Sequence, residues 1–294
     1  MAIFEGAGVA IVTPMNEDLT VNYDKLEELI EEQIAEKTDA IIIAGTTGES
    51  SCLSMEEHAE VIKAAVDIVK KRIPVVAGTG SNCTETAIKL TGDAQAAGAD
   101  AALVVSPYYN KASQRGLVAH YSAIADSTKL PIILYNVPSR TGCNILPETV
   151  AELARTKENI VGIKEATGNV AQAVKVMDLC DGKIDLYSGE DGIVVPLMSI
   201  GAKGVISVWS NVAPRDVHDM CAYAAAGDFA KASQIQIKGR ALVDALFSDV
   251  NPIPVKTALN LMGKNVGPLR SPLCAMAPEA EAKLAEVMKA YGIL

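Results

Sequence analysis

Eight short apolar runs recur along the chain with helix-length segments between them, at residues 8–12, 40–44, 74–78, 101–105, 131–135, 160–164, 184–188 and 204–208. Each is rich in Val, Ile, Leu or Ala at nearly every position instead of every second one. That is the pattern of a strand covered on both faces, as parallel sheets require. The segments between them carry helix-start chemistry: Ser54 with Glu57, Asn82 with Glu85 and Asn169 with Gln172 each place a capping oxygen three residues before an acid or amide. Leu26, Leu29, Ile30 and Ile34, and then Ile62, Ala65, Val66 and Val69, follow the spacing of a helix that lays one stripe on a sheet.

Eight strand–helix units joined by right-handed crossovers close most simply into a (β/α)8 barrel, which leaves no exposed sheet edge. An open doubly wound sheet is the other architecture this order allows. The length, 294 residues, suits one large barrel or two ordinary domains. Residues 1–226 are expected to form the catalytic barrel. Residues 227–294 carry helical patterns at 229–247, 254–262 and 278–291 without intervening strands, so they read as a C-terminal helical appendage.

With 26 basic against 36 acidic residues the formal charge is −10, which repels phosphate backbones and anionic lipid surfaces. Nucleic acid and membrane are therefore not expected as partners. No apolar run approaches the about 20 residues of a membrane helix, and the Met-Ala-Ile-Phe-Glu-Gly start lacks the regions of a signal peptide, so the expected compartment is the cytoplasm. The six cysteines form no C-x-x-C pair and the three histidines show no ligand spacing. Neither a metal, a cofactor nor a disulfide framework is expected.

In a barrel, chemistry belongs at the carboxyl ends of the strands. Lys164 ends the sixth run, and strand alternation puts it on the face of Gly162 and Ile160, where a glycine leaves room for its stem. A lysine desolvated there loses its proton readily and becomes a nucleophile for carbonyl compounds; a strand-end lysine that reaches solvent or pairs with Glu165 fits the same pattern. Tyr135 ends the preceding run on the face of Ile133. Neighbouring parallel strands lie about 4.8 Å apart, so the phenol and the amine can meet, although a packing tyrosine reads identically. The loop Gly45-Thr46-Thr47-Gly48-Glu49-Ser50 offers backbone N–H groups and two hydroxyls to a carboxylate. Arg140, in Tyr135-Asn136-Val137-Pro138-Ser139-Arg140-Thr141-Gly142, can form a bidentate pair with a second one or sit among surface polar groups.

Four motifs in order, GTTGES (45–50), SPYYN (106–110), YNVPSRTG (135–142) and GIKEATG (162–168), resemble those of the 4-hydroxy-tetrahydrodipicolinate synthase (dihydrodipicolinate synthase) family. The likeness runs from Val9-Ala10-Ile11-Val12-Thr13-Pro14 to Asn251-Pro252-Ile253-Pro254-Val255-Lys256. It implies a Schiff-base lyase of lysine and diaminopimelate biosynthesis that condenses pyruvate with L-aspartate 4-semialdehyde. In this resemblance Lys164 forms the imine with pyruvate. Tyr135, Thr46 and Tyr109 form a proton relay, with Tyr109 supplied by a neighbouring subunit. Thr46 and Thr47 hold the pyruvate carboxylate, Arg140 receives the semialdehyde carboxylate, and the carbonyls of Gly189 and Ile206 lie near the amine. The implied assembly is a homotetramer, a dimer of dimers.

In lysine-inhibited relatives the resemblance matches an inter-subunit regulatory pocket to Ser50, Ser51, His58, Asn82 and Tyr108. This chain departs from that pattern. Thr86 stands where an acidic residue would grip lysine's ammonium group, with Glu85 next door, and Met55 stands where a second histidine often lies. Weak or absent inhibition by L-lysine is expected. Two other readings share parts of the pattern. An N-acetylneuraminate lyase or keto-deoxy sugar acid aldolase of the same superfamily would keep the lysine, tyrosine and threonine loop but has less use for Arg140. A non-catalytic barrel that binds a metabolite would need neither Lys164 nor Tyr135.

Overall fold

In the computed structural model, which describes residues 2–294, the eight apolar runs are eight parallel strands that pair in sequence order and close on themselves. They are β1 (Gly6–Ala10), β2 (Ala40–Ile43), β3 (Val75–Gly78), β4 (Ala101–Val105), β5 (Ile132–Asn136), β6 (Ile160–Glu165), β7 (Asp185–Ser188) and β8 (Gly204–Ser207). The seam is β1 against β8, from Gly6↔Gly204 to Val9↔Ser207. Gly204 has φ +151° and its missing side chain would collide with the Gly6 carbonyl, so only glycine permits this closure. The doubly wound alternative is excluded by that pairing.

Alternation sorts each strand into two cores. Val9, Ile41, Ile43, Val75, Ala102, Val104 and Leu134 face outward against the helices. Ala10, Ile42, Val76, Leu103, Ile133, Tyr135, Tyr187 and Ile206 fill the barrel, with Phe4 stacked on Tyr187 at 4.5 Å. Burial from both sides is why these runs carry no polar alternation.

Three local expectations are corrected. β1 begins and ends two residues before the 8–12 run, because Asn211 takes over beyond it: its side chain donates to Ala10 O and accepts from Val12 N. β6 carries one extra residue, since Ile132 pairs with Ile160 but Ile133 pairs with Gly162. This bulge at Val161 reverses the phase. Ile160 therefore packs in the outer core, while Gly162 and Lys164 face inward; only half of the expected shared face holds. The third concerns Asn82, which caps nothing. The helix Thr84–Ala97 is preceded by Cys83 without a side-chain cap, and the Asn82 carbonyl instead accepts from Asn110 Nδ2. Ser54 with Glu57 does form a capping box, and Asn169 does cap the helix Val170–Cys180.

Beyond residue 226 come the helices Phe229–Leu246, Ile253–Leu261 and Pro278–Tyr291, as expected to within a residue or two. They wrap back onto the barrel: Gly239 lies flat against the Trp209 ring, a position no Cβ could share. Among the described residues, no helix is long and apolar enough to cross a membrane.

Candidate active site

The barrel mouth opens into a cavity of about 610 Å³, lined by Thr46, Thr47, Tyr135, Arg140, Lys164, Gly189, Glu190 and Asn251 among others. Lys164 and Tyr135 are direct partners in the β5–β6 ladder. The Lys164 Nζ lies 4.3 Å from the centre of the Tyr135 ring. Its stem runs against Gly189, whose absent Cβ would approach Lys164 Cγ to 3.1 Å. Lys164 is 6% exposed. Glu165, the alternative partner, points the other way: Oε1 accepts from Thr167 N at 2.9 Å and Oε2 from Asn136 Nδ2 at 3.2 Å.

Electrostatics follow from this burial. Desolvation draws the Lys164 amine down to about 8, opposed by the carboxylates of Asp191 and Glu190 and aided by the Arg140 guanidinium. Burial pushes the Tyr135 phenol up to about 12; Arg140 and a hydrogen bond with Thr46 pull the other way. The site therefore holds a readily deprotonated amine over a phenol that keeps its proton, an arrangement suited to amine addition and proton shuttling at a carbonyl.

Other expected residues fall into place unevenly. Thr47 is buried, and its Oγ1 accepts from Asn251 Nδ2 at 3.0 Å. Arg140 is exposed at the rim, and its Nη2 donates to the Asn251 carbonyl at 3.3 Å. Ile206 lies among the side chains that fill the barrel and does not line the cavity. Tyr109 is 90% exposed with φ +69° and does not reach the cavity of its own chain. Ser50, Ser51, His58 and Tyr108 line the same cavity, and Asn82 does not. Thr86 and Met55 line it too, whereas Glu85 is exposed and does not.

Three participants were not singled out from the sequence. Glu190 and Asp191 follow the end of β7 after Gly189, and an acid pair one step past a barrel strand was a readable signal. Asp191 is buried, and its Oδ2 accepts from Val208 N and Trp209 N, both at 2.9 Å. Asn251 carried no local signal, because its partners are far away in sequence.

Fold and site together define a class: a (β/α)8-barrel enzyme whose chemistry gathers at the carboxyl ends of its strands. The profile of the Dihydrodipicolinate synthetase family matches residues 3–291. The chain is 59% identical over 295 aligned residues to the 4-hydroxy-tetrahydrodipicolinate synthase of Lachnoclostridium phytofermentans, covering 100% of both chains. Among solved structures it is similar to the pyruvate complex of the chloride-inhibited dihydrodipicolinate synthase of Acinetobacter baumannii, with 47% identity, a TM-score of 0.97 and 99% of each chain covered. It is equally similar in shape to the lysine-bound enzyme of Cyanidioschyzon merolae, with 40% identity, a TM-score of 0.97 and 100% of each chain covered. The chain belongs to the dihydrodipicolinate synthetase family and is a lyase of amino-acid biosynthesis.

Proposed function

We propose that the chain carries out its family's 4-hydroxy-tetrahydrodipicolinate synthase reaction, the condensation of pyruvate with L-aspartate 4-semialdehyde, through an imine on Lys164. The observation that carries this reading is the buried Lys164 amine at the mouth, 4.3 Å from the Tyr135 ring. The neutral amine adds to the pyruvate ketone, and loss of water gives the imine. Removal of a methyl proton then yields an enamine, with the imine nitrogen taking the electron pair. The enamine carbon attacks the aldehyde, whose oxygen is protonated. The substrate's own amine finally displaces Lys164 and closes the ring. Thr46 and Thr47 hold the pyruvate carboxylate, and Gly189 offers a carbonyl near the incoming amine.

Tyr135 and Thr46 shuttle protons, together with Tyr109 of the partner subunit. The exposure of Tyr109 and its left-handed backbone, which a large side chain adopts only under constraint, support a tyrosine presented outward. The assembly that follows is a homotetramer of two dimers, working in the cytoplasm. A coupled assay that offers pyruvate with either aspartate semialdehyde or N-acetylmannosamine tests the substrate; turnover with the sugar alone would overturn the reading.

Arg140 gives a sharper expectation. Its guanidinium is free at the rim apart from one contact to Asn251, so Arg140→Ala is expected to raise the KM for the semialdehyde by about a hundredfold while moving that for pyruvate by less than about threefold. Equal rises in both would remove the assigned role.

Regulation follows from the other residues that line the cavity. A carboxylate missing from a partly buried cation site costs on the order of 1–3 kcal/mol. With Thr86 there and Glu85 turned to solvent, L-lysine is expected to inhibit weakly or not at all. Titrating lysine against turnover checks this; half-inhibition below about 1 mM, a binding energy of about 4 kcal/mol, would contradict it.

A further inference from the structure

Thr47 and Arg140 arrive at the mouth from different sectors of the barrel, on the loops that follow β2 and β5, and one residue touches both. Asn251 is 5% exposed at the cavity wall. Its side-chain Nδ2 donates to Thr47 Oγ1 at 3.0 Å, and its main-chain carbonyl accepts from Arg140 Nη2 at 3.3 Å.

The segment that carries Asn251 is itself anchored. On the following helix, Ile253–Leu261, the buried Lys256 donates to Glu49 Oε1 at 2.8 Å, Thr13 O at 3.2 Å and Pro268 O at 2.6 Å. Glu49 lies two residues beyond Thr47 in the same loop. The C-terminal segment therefore grips that loop at two points, Thr47 through Asn251 and Glu49 through Lys256, and neither point can slide without the other.

The direction of the Asn251 bond matters as much as its place. A hydroxyl has one proton to give. Because Thr47 Oγ1 accepts from the Asn251 amide, its own O–H is left free to donate toward a bound carboxylate.

We infer that Asn251 is a positioning residue for the condensation: its amide orients the Thr47 hydroxyl as a donor to pyruvate, and its carbonyl ties Arg140 to the same anchor, fixing the separation of the two carboxylate sites. The inference rests on the assignment of Thr47 and Arg140 to the two substrate carboxylates made under Proposed function.

The test compares the full chain with N251A, N251D, T47V and N251A/T47V. It reads the mass of the pyruvate adduct trapped by borohydride, the KM for each substrate, kcat and the thermal midpoint. N251A is expected to raise the pyruvate KM by about tenfold, the worth of one oriented hydrogen bond. N251D, almost the same shape, is expected to do at least as much harm. A carboxylate can only accept, so it takes the Thr47 proton away from the substrate. A purely structural asparagine would instead lower the thermal midpoint without moving the pyruvate KM.

N251A/T47V is expected to be no worse than T47V, because the two residues act through one contact. Wild-type-like pyruvate binding in N251D, or effects of N251A and T47V that multiply, would overturn the inference while leaving the imine mechanism standing. Failure of the unmodified chain to form any pyruvate adduct would instead fell the reading beneath it. If N251A does not fold, N251D against T47V decides the matter alone.

Discussion

Replacing Lys164 with alanine is expected to abolish the borohydride-trapped pyruvate adduct and to cut turnover by on the order of ten-thousandfold or more, with the fold retained. The Lys164 amine is the only group of the protein that bonds covalently to substrate in the proposed sequence, and no neighbour can replace it: burial pushes the Tyr135 phenol up to about 12, so it keeps its proton, and the delocalised guanidinium of Arg140 is not a carbonyl nucleophile. The same amine sets a pH dependence whose sign is fixed. Burial holds Lys164 near a pKa of about 8, opposed by Asp191 and Glu190. Above that value the amine is the free base and attacks; below it the amine is an ammonium and does not. The initial rate of adduct formation is therefore expected to fall about tenfold per pH unit below 8 and to level off above about 9. Mass spectrometry of quenched time points follows both. A full-strength adduct in Lys164→Ala, or a rate that stays flat from about pH 6 to 8, would show that another group performs the attack.

The second large effect is on stability. Lys256→Met is expected to destabilise the chain by about 3–5 kcal/mol, read as a fall in the urea midpoint. Both members of the Lys256–Glu49 pair are essentially sealed from water, at 1% and 0% side-chain exposure. Burial pulls the Lys256 amine below the usual lysine range while Glu49 resists that pull. Removing the lysine leaves a carboxylate whose remaining partner is Arg270 N at 2.9 Å. Glu49 has no path to solvent, since its side chain is fully buried and its backbone is held at φ +55° with its N–H donating to the Thr46 carbonyl at 3.1 Å. The expectation has a second half. Glu49→Gln combined with Lys256→Met removes both charges and should recover most of the loss, since a buried pair costs less to replace than to break. A single Lys256→Met variant within about 1 kcal/mol of the parent, or a double variant worse than the single, would refute the account.

What could be read in advance divides along a physical line. The strands were legible because a parallel strand buried on both faces writes its burial into every residue, and the eight runs needed no partner information. Lys164, Tyr135 and the threonine loop were legible because barrel chemistry gathers at strand ends. The bulge at Val161 was not. It depends on how β5 and β6 register, and nothing in Ile160-Val161-Gly162 distinguishes an inserted residue from a paired one. Asn251 and Lys256 were invisible as participants for a related reason: their partners, Thr47 and Glu49, lie near the other end of the chain, and no periodicity encodes a contact across the closed barrel. The left-handed backbone of Tyr109 was equally hidden, since a large aromatic residue gives no sign that its loop will turn that way.

The stacked rings of Phe4 and Tyr187 have a consequence for traffic. They cork the lower half of the barrel, and the Tyr187 hydroxyl is tied to the Phe4 carbonyl at 2.9 Å. The amine therefore stands at the end of a blind corridor. On the proposed mechanism the keto acid that forms the imine occupies the inner berth, the water released leaves past the mouth, and the aldehyde docks only behind it. That plug is what would make the order of arrival, keto acid before aldehyde, a consequence of the proposed mechanism.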